Sequence, residues 1–349
     1  MQVYRRRVET AQEKRPGGVM RVGRWVAAGV GVAGVVLAVK FAGVDAVGEA
    51  LLRTSYWFPL VVLLEMTNLG FDLAALRVLY GPDRHRLTVG SLARAGLVGY
   101  AVMCLVPAGG AVAEATRAAL LTSRTSAPRA FAAGTRLQAL GFLANAALGL
   151  PCLVASAVYA GFGPLTWLLV LYVVGAGGLG VGMFWAMGRT EVGSWLGRRV
   201  HRMAHGGPVF DNHLRETPTV PWGAVVLTLC GRVAQLAQNA VLVVAAGGAL
   251  GVRPTLLCEG LHLVGVALGE LVPGQLGVQE AGYTWSATVL QLPRGNSVSI
   301  ALVAHLAQLV IVLIGAAVAL FWRSQRAPVA AADPGPPAPP AGVVPSAEP

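Results

Sequence analysis

The chain has 349 residues and a formal net charge of +11 at pH 7, yet only 12% of it is charged and 55% is hydrophobic. Apolar runs long enough to cross a bilayer recur from residue 25 to residue 322, which excludes an ordinary soluble domain and marks a polytopic membrane protein. The basic residues gather at the ends of these runs and in two arms, so the charge reflects membrane topology rather than a nucleic-acid surface.

In chain order, residues 1–24 carry Arg5, Arg6, Arg7, Lys14, Arg15, Arg21 and Arg24 and read as a basic cytoplasmic arm. The apolar run 25–41 follows. Lys40 and Phe41 stand where a signal peptide would need small residues for cleavage, so this run is expected to be a retained first span. Further full spans are predicted at 57–80, 88–106, 131–160, 164–187, 222–248, 255–272 and 298–322, which makes eight in an all-α membrane domain over 25–322. Pro151 predicts a kink or tilt in the long fourth span. Residues 189–220, with Arg189, Arg198, Arg199, Arg202 and Arg215, form a basic loop too short for a soluble enzyme domain. The segment 327–349 holds eight prolines among Ala and Gly, so 323–349 is read as a disordered tail. Cys104, Cys152, Cys230 and Cys258 all fall in apolar segments without metal-ligand spacing and read as small buried hydrophobes. No phosphate-loop, dinucleotide, Ser/His/Asp or Cys/His pattern stands in a credible context; neither a cofactor, a metal nor an enzymatic activity is expected.

Two stretches interrupt this pattern, and they are near copies. Leu105-Val106-Pro107-Ala108-Gly109-Gly110-Ala111-Val112-Ala113-Glu114-Ala115 recurs as Leu271-Val272-Pro273-Gly274-Gln275-Leu276-Gly277-Val278-Gln279-Glu280-Ala281. Six of the eleven positions are identical, including the Pro and the Glu seven residues after it. Matched Pro/Gly breaks in the two halves of a membrane protein point to a binding site near the midplane.

Loop charge sets the orientation. The basic segments 1–24, 82–94, 122–129, 189–215 and 323–326 belong on the cytoplasmic side, so an even number of crossings must separate consecutive ones. Eight full spans alone fail this parity in both halves. Counting 107–121 and 273–290 as short broken crossings restores it, and then repeat 1 (57–160) and repeat 2 (222–322) run in opposite directions, an inverted repeat. A re-entrant hairpin at each motif is the competing geometry.

A Pro-Gly break stops one helix and starts another, leaving backbone N–H groups and a partial positive charge that suit a phosphate or carboxylate. A plain kink is the alternative for either motif alone. Ionisable residues inside the spans cost roughly 2.5–3.5 kcal/mol each at a helix centre. Glu114 and Arg117 are spaced to pair on one helical turn, whereas Glu280 has Tyr283 at the corresponding position and no cation there. Arg136 and Arg232 lie inside spans; Glu259, His262 and Glu270 share one helix, and Glu65, Asn68, Asp72 and Arg77 another. Cavity lining and buried ion pairing are both open for these residues. His305 and Asn145 read as interhelical hydrogen-bond partners.

The pattern Leu-Val-Pro-Ala-Gly-Gly…Glu114…Arg117, then Leu-Val-Pro-Gly…Leu276-Gly277…Glu280, resembles the flippase-like family represented by the transmembrane part of bacterial lysylphosphatidylglycerol synthases. The resemblance spans about residues 20 to 325, and Gln275 departs from a second Pro-Gly-Gly. It implies a lipid carrier of the bacterial cytoplasmic membrane with both termini cytoplasmic, and no aminoacyl transfer, since that family's soluble synthase domain has no counterpart here. The expected site places a phosphate of an anionic or zwitterionic lipid head against Pro107, Gly109, Gly110, Pro273, Gly274 and Gly277. Arg117, Arg136 and Arg232 would be counter-charges, Glu259 and Glu270 would line the path, and Glu114 and Glu280 would hold the arginines or accept a proton. A non-transporting lipid-binding partner of a lipid-synthesis enzyme, and a secondary transporter of a small anion, are the other two readings.

Overall fold

In the computed structural model the described residues are 36–189 apart from 38 and 42, together with 191, 193, 194, 206–216 and 221–321. The basic arm 1–24, most of the first span 25–41 and the tail 323–349 lie outside them. The described residues form helices α1 (Val44–Thr54), α2 (Phe58–Leu79), α3 (Val89–Leu105), α4 (Gly109–Leu121), α5 (Ala127–Tyr159), α6 (Pro164–Arg189), α7 (Gly206–Glu216), α8 (Trp222–Ala245), α9 (Val252–Gly269), α10 (Val278–Trp285), α11 (Ala287–Leu290) and α12 (Arg294–Phe321). Among the described residues, five helical stretches can cross a membrane by length and composition: Val44–Leu79, Ala127–Tyr159, Pro164–Arg189, Trp222–Ala245 and Arg294–Phe321.

Local chemistry starts and stops these helices. Pro59 and Pro128 sit in the first turns of α2 and α5, where the missing N–H is not needed. The Thr88 hydroxyl caps α3 by accepting from Ser91 N–H at 3.2 Å. α5 continues as one helix through Pro151. The stretch 42–56, expected as a loop, is mostly helix: α1 buries Val47, Ala50 and Thr54, a three-to-four-residue spacing, and Gly295 of α12 packs on Ala46. Inside the basic loop 189–220, α7 packs on α5 through Leu214.

Two helices at expected spans fall outside these five stretches. α3 is only 17 residues long, and α9, which carries Arg253, Glu259 and His262, is not among the stretches apolar enough to cross. Each forms one arm of an antiparallel helical hairpin. Gly99 of α3 lies against Arg117 of α4, with Met103 against Gly109 nearer the turn. Gly265 of α9 lies against Gln279 of α10, and Tyr283 OH donates to Cys258 O at 3.3 Å farther from the turn. The two Pro-Gly motifs are the tips of these hairpins.

α2 and α8 run antiparallel against each other, Asn68 meeting Gly231 and Val78 meeting Gly223. α12 packs on α3, Gly315 against Leu97 and Ala101, while α5 packs on α9, Cys152 against Gly260. α6 lies antiparallel on α5, with Gly149 on Val173 and Gly180 on Leu143. The larger apolar core joins α5, α6, α8, α9 and α12; a second joins α2 through α5.

Candidate functional site

The two breaks share one backbone conformation over their first residues. Val106 (φ −118°, ψ 133°) and Val272 (φ −100°, ψ 126°) are extended; Ala108 (φ 52°, ψ 39°) and Gly274 (φ 61°, ψ 9°) are left-handed. They part at the next residue. Gly109 enters α4 directly, whereas Gln275 is again left-handed at φ 58° and the second helix resumes only at Val278. The tips touch: Ala108 N–H donates to Glu270 O at 3.0 Å, and Gly274 sits beside the Cys104 carbonyl.

Beside this contact lies a cavity of about 700 Å³, walled by α2 through α6, α8, α9, the second break and Gln308 of α12. Its polar wall is dense. Arg117 Nη1 pairs with Glu114 Oε1 at 2.5 Å; Arg232 Nη2 lies 3.3 Å from both Asp72 carboxylate oxygens, and Arg232 Nη1 donates to Gln235 Oε1 at 2.6 Å. Tyr100 OH donates to Glu65 Oε1 at 2.5 Å. Among the cavity-lining residues, Glu65, Asp72, Glu114 and Glu270 set four carboxylates against the guanidiniums of Arg117 and Arg232. Several polar atoms of this wall are buried without a hydrogen-bond partner: Asn68 Oδ1, Asn145 Oδ1, Glu114 Oε2, Arg117 Nε and Arg232 Nε. Groups left unmet in a membrane interior are costly, so this wall is suited to a polar guest.

The chain matches the family model described as the lysylphosphatidylglycerol synthase TM region over residues 24–316. The chain belongs to this family. No curated protein and no solved structure matches it. It is a multi-pass membrane protein whose cavity and broken hairpins fall within the matched span of the lysylphosphatidylglycerol synthase TM region.

Of the residues singled out in the sequence of this family member, Gly109, Gly110, Glu114, Arg117, Arg232, Glu270 and Gly274 line the cavity together. Pro107, Arg136, Glu259, Pro273, Gly277 and Glu280 do not. The Arg136 guanidinium turns away to the Leu214 carbonyl of α7, so it is not placed as a counter-charge to a guest in the cavity. Glu259 is buried behind the wall, accepting from Gln235 at 2.7 Å and Asn239 at 2.6 Å. Glu280 caps its own helix, accepting from Gly277 N–H at 2.7 Å.

That cap changes the expectation for the half-helix ends. The start of α10 is already served by Glu280, and Glu270 Oε1 lies 3.4 Å from where a Cβ on Gly110 would stand, at the start of α4. Both helix starts therefore have a carboxylate of the chain close by, which is the charge a helix N-terminus favours. Where the first copy has Arg117, the second Glu is met from another helix: His305 Nδ1 of α12 lies 2.7 Å from Glu280 Oε1. Glu65, Asn68, Asp72 and His262, read in the sequence only as polar residues sharing helices, complete the wall. Tyr100 and Gln308 were not singled out at all, and neither has a sequence signal beyond a single polar group in an apolar run.

Proposed function

We propose that the chain carries a phospholipid or related polar-headed lipid across the cytoplasmic membrane, with a head group bearing both a phosphate and an amine. The observation that carries this reading is the cavity itself: a chamber at the meeting point of two matched breaks, lined by charged groups on several helices and set in an apolar bundle. Its carboxylate excess suits a cation, and Arg117 and Arg232 suit the phosphate, so a zwitterionic head satisfies the wall better than a bare anion. Acyl tails would stay among the exposed apolar side chains of the helices.

The proposal includes an inverted repeat. It is supported by matched pairings: α3 on α12 answers α9 on α5, α4 on α5 answers α10 on α12, α2 on α12 answers α8 on α5, and the two hairpins answer each other. α2 and α8 would flank an axis in the membrane plane, which is why they run antiparallel. Alternating access would then be a rocking of one set against the other around the touching tips.

The family description, a synthase transmembrane region, favours a second reading: a lipid-binding membrane partner of a lipid-modifying enzyme. Mass spectrometry of lipids retained by the purified protein tests the shared part of both readings. Amine-bearing phospholipid should be enriched over the host membrane, and Arg117→Ala should lower its retention about tenfold, the lower end for losing a hydrogen bond to a charged group. Retention that mirrors the host membrane and ignores Arg117 would remove the cavity as a lipid site. Movement of lipid in vesicles of the purified chain alone separates carrier from partner.

A further inference from the structure

Glu280 and His305 stand behind the cavity wall, and carrying a lipid head assigns them no role. Glu280 is fully buried and joins two elements: Oε2 takes the Gly277 N–H at the start of α10, and Oε1 lies 2.7 Å from His305 Nδ1 on α12. Opposite a carboxylate, Nδ1 carries the hydrogen and donates it, which leaves Nε2 as the basic nitrogen. His305 Nε2 is buried with no hydrogen-bond partner.

Polar side chains reach from the cavity to the residue before Glu280 on α10 and to the turn of α12 that carries His305. His262 of α9 lines the cavity, and Gln279 of α10 packs on Gly265 one turn along that helix. Gln279 Nε2 donates to Gln275 Oε1 at 2.5 Å, and Gln275 lines the cavity too. Gln308, three residues along α12 from His305, is another lining residue. The other titratable groups nearby are accounted for. On α9, Glu259 is held by Gln235 and Asn239, and Cys258 pairs with Tyr283 of α10. α8 brings Arg232, held by Gln235 and Asp72; α2 and α3 bring Glu65 bonded to Tyr100, with Cys104 one turn along α3. α1, packed near the start of α12, carries Asp45, Glu49 and Arg53, and α11 has no titratable residue.

We propose that Glu280 and His305 form a proton-binding site that couples proton movement to the lipid carriage on which this inference rests. A proton from the cavity binds His305 Nε2, and the proton on Nδ1 passes to Glu280 Oε1. The imidazole ends neutral with its hydrogen on Nε2, the carboxyl ends neutral, and one proton has been taken up. Release is the reverse sequence. A neutral carboxyl is a weaker acceptor for Gly277 N–H, because hydrogen bonds to an ionised partner are roughly twice as strong. The start of α10 loosens, and with it the second break, whose contacts with Ala108 and Cys104 hold the tips together.

The test uses the full chain in vesicles of phosphatidylcholine with a fluorescent short-chain phosphatidylethanolamine as the probe, its sidedness read by chemical quenching. With one proton coupled per lipid, a pH difference of about one unit should shift the steady-state distribution of the probe by up to about tenfold. Glu280→Gln and His305→Gln should each abolish that shift while still allowing the probe to equilibrate. Wild-type movement that ignores the gradient overturns proton coupling and leaves lipid carriage standing. A gradient response that survives in both folded variants assigns the proton to another group and overturns this site. No probe movement under any condition overturns the carrier reading and the coupling with it. If Glu280→Gln fails to fold, His305→Gln and the wild-type response decide the matter.

Discussion

At the scale of residues, the shared Glu of the two motifs has two different jobs, and the cause is where each helix starts. α4 begins at Gly109, so Glu114 is more than a turn inside it and reaches Arg117; α10 begins at Val278, so Glu280 is the third residue and reaches back to Gly277. Substitution should separate the roles. Glu280→Ala leaves a buried Gly277 N–H and a buried His305 without their acceptor, at about 1–3 kcal/mol each, so its thermal midpoint in detergent should fall well below that of Glu280→Gln, which keeps a carbonyl oxygen. Equal midpoints would show that the carboxylate position does not hold the start of α10. Arg117→Lys keeps the charge without the planar fork, and should retain amine-bearing phospholipid better than Arg117→Ala and worse than wild type. Gly99 matters for the same side chain: a Cβ there would stand 2.6 Å from Arg117 Cγ, so Gly99→Val should lower lipid retention as Arg117→Ala does, read by the same mass spectrometry.

At the scale of elements, the breaks carry backbone strain that the sequence distributes unequally. A left-handed conformation costs a residue with a Cβ about 1–2 kcal/mol, and Ala108 and Gln275 both adopt it while Gly274 does so freely. Ala108→Gly should therefore raise the unfolding free energy by about 1 kcal/mol and Gly274→Ala should lower it by a similar amount; chemical denaturation in detergent checks both signs, and a destabilising Ala108→Gly would contradict the shared conformation. The breaks were legible because Pro followed by small residues stands out in apolar runs, and the Glu114–Arg117 pair because three-residue spacing on a helix brings side chains together. Long apolar spans were legible to within a few residues, as 164–187 against Pro164–Arg189 shows. α1 was missed because its sparse apolar stripe of Val47, Ala50 and Leu51 reads as a mixed loop when hydropathy is averaged. The partners of Arg136, Arg232 and Glu280 come from residues 78, 160 and 25 positions away, and no local spacing encodes such pairings.

At the scale of the whole molecule, each hairpin returns the chain to the end of the bundle it came from, and this agrees with the loop-charge expectation that 82–94 and 122–129 share one side of the membrane. Single cysteines introduced at 122–129, 189–215 and 323–326, in a chain stripped of its four native cysteines, should all react with an impermeant reagent from the same face of oriented vesicles. Reaction of 122–129 from the opposite face would dismantle the inverted-repeat reading. The cavity, the tip contact and the mirrored packing converge on one claim, that a lipid head passes through the centre of this bundle. Its most direct measurement is the transbilayer movement of fluorescent phosphatidylethanolamine in vesicles holding only the purified chain. The account predicts movement well above that of protein-free vesicles, sharply slowed by Arg117→Ala in folded protein. Movement no faster than in protein-free vesicles, or a rate indifferent to Arg117, would contradict it.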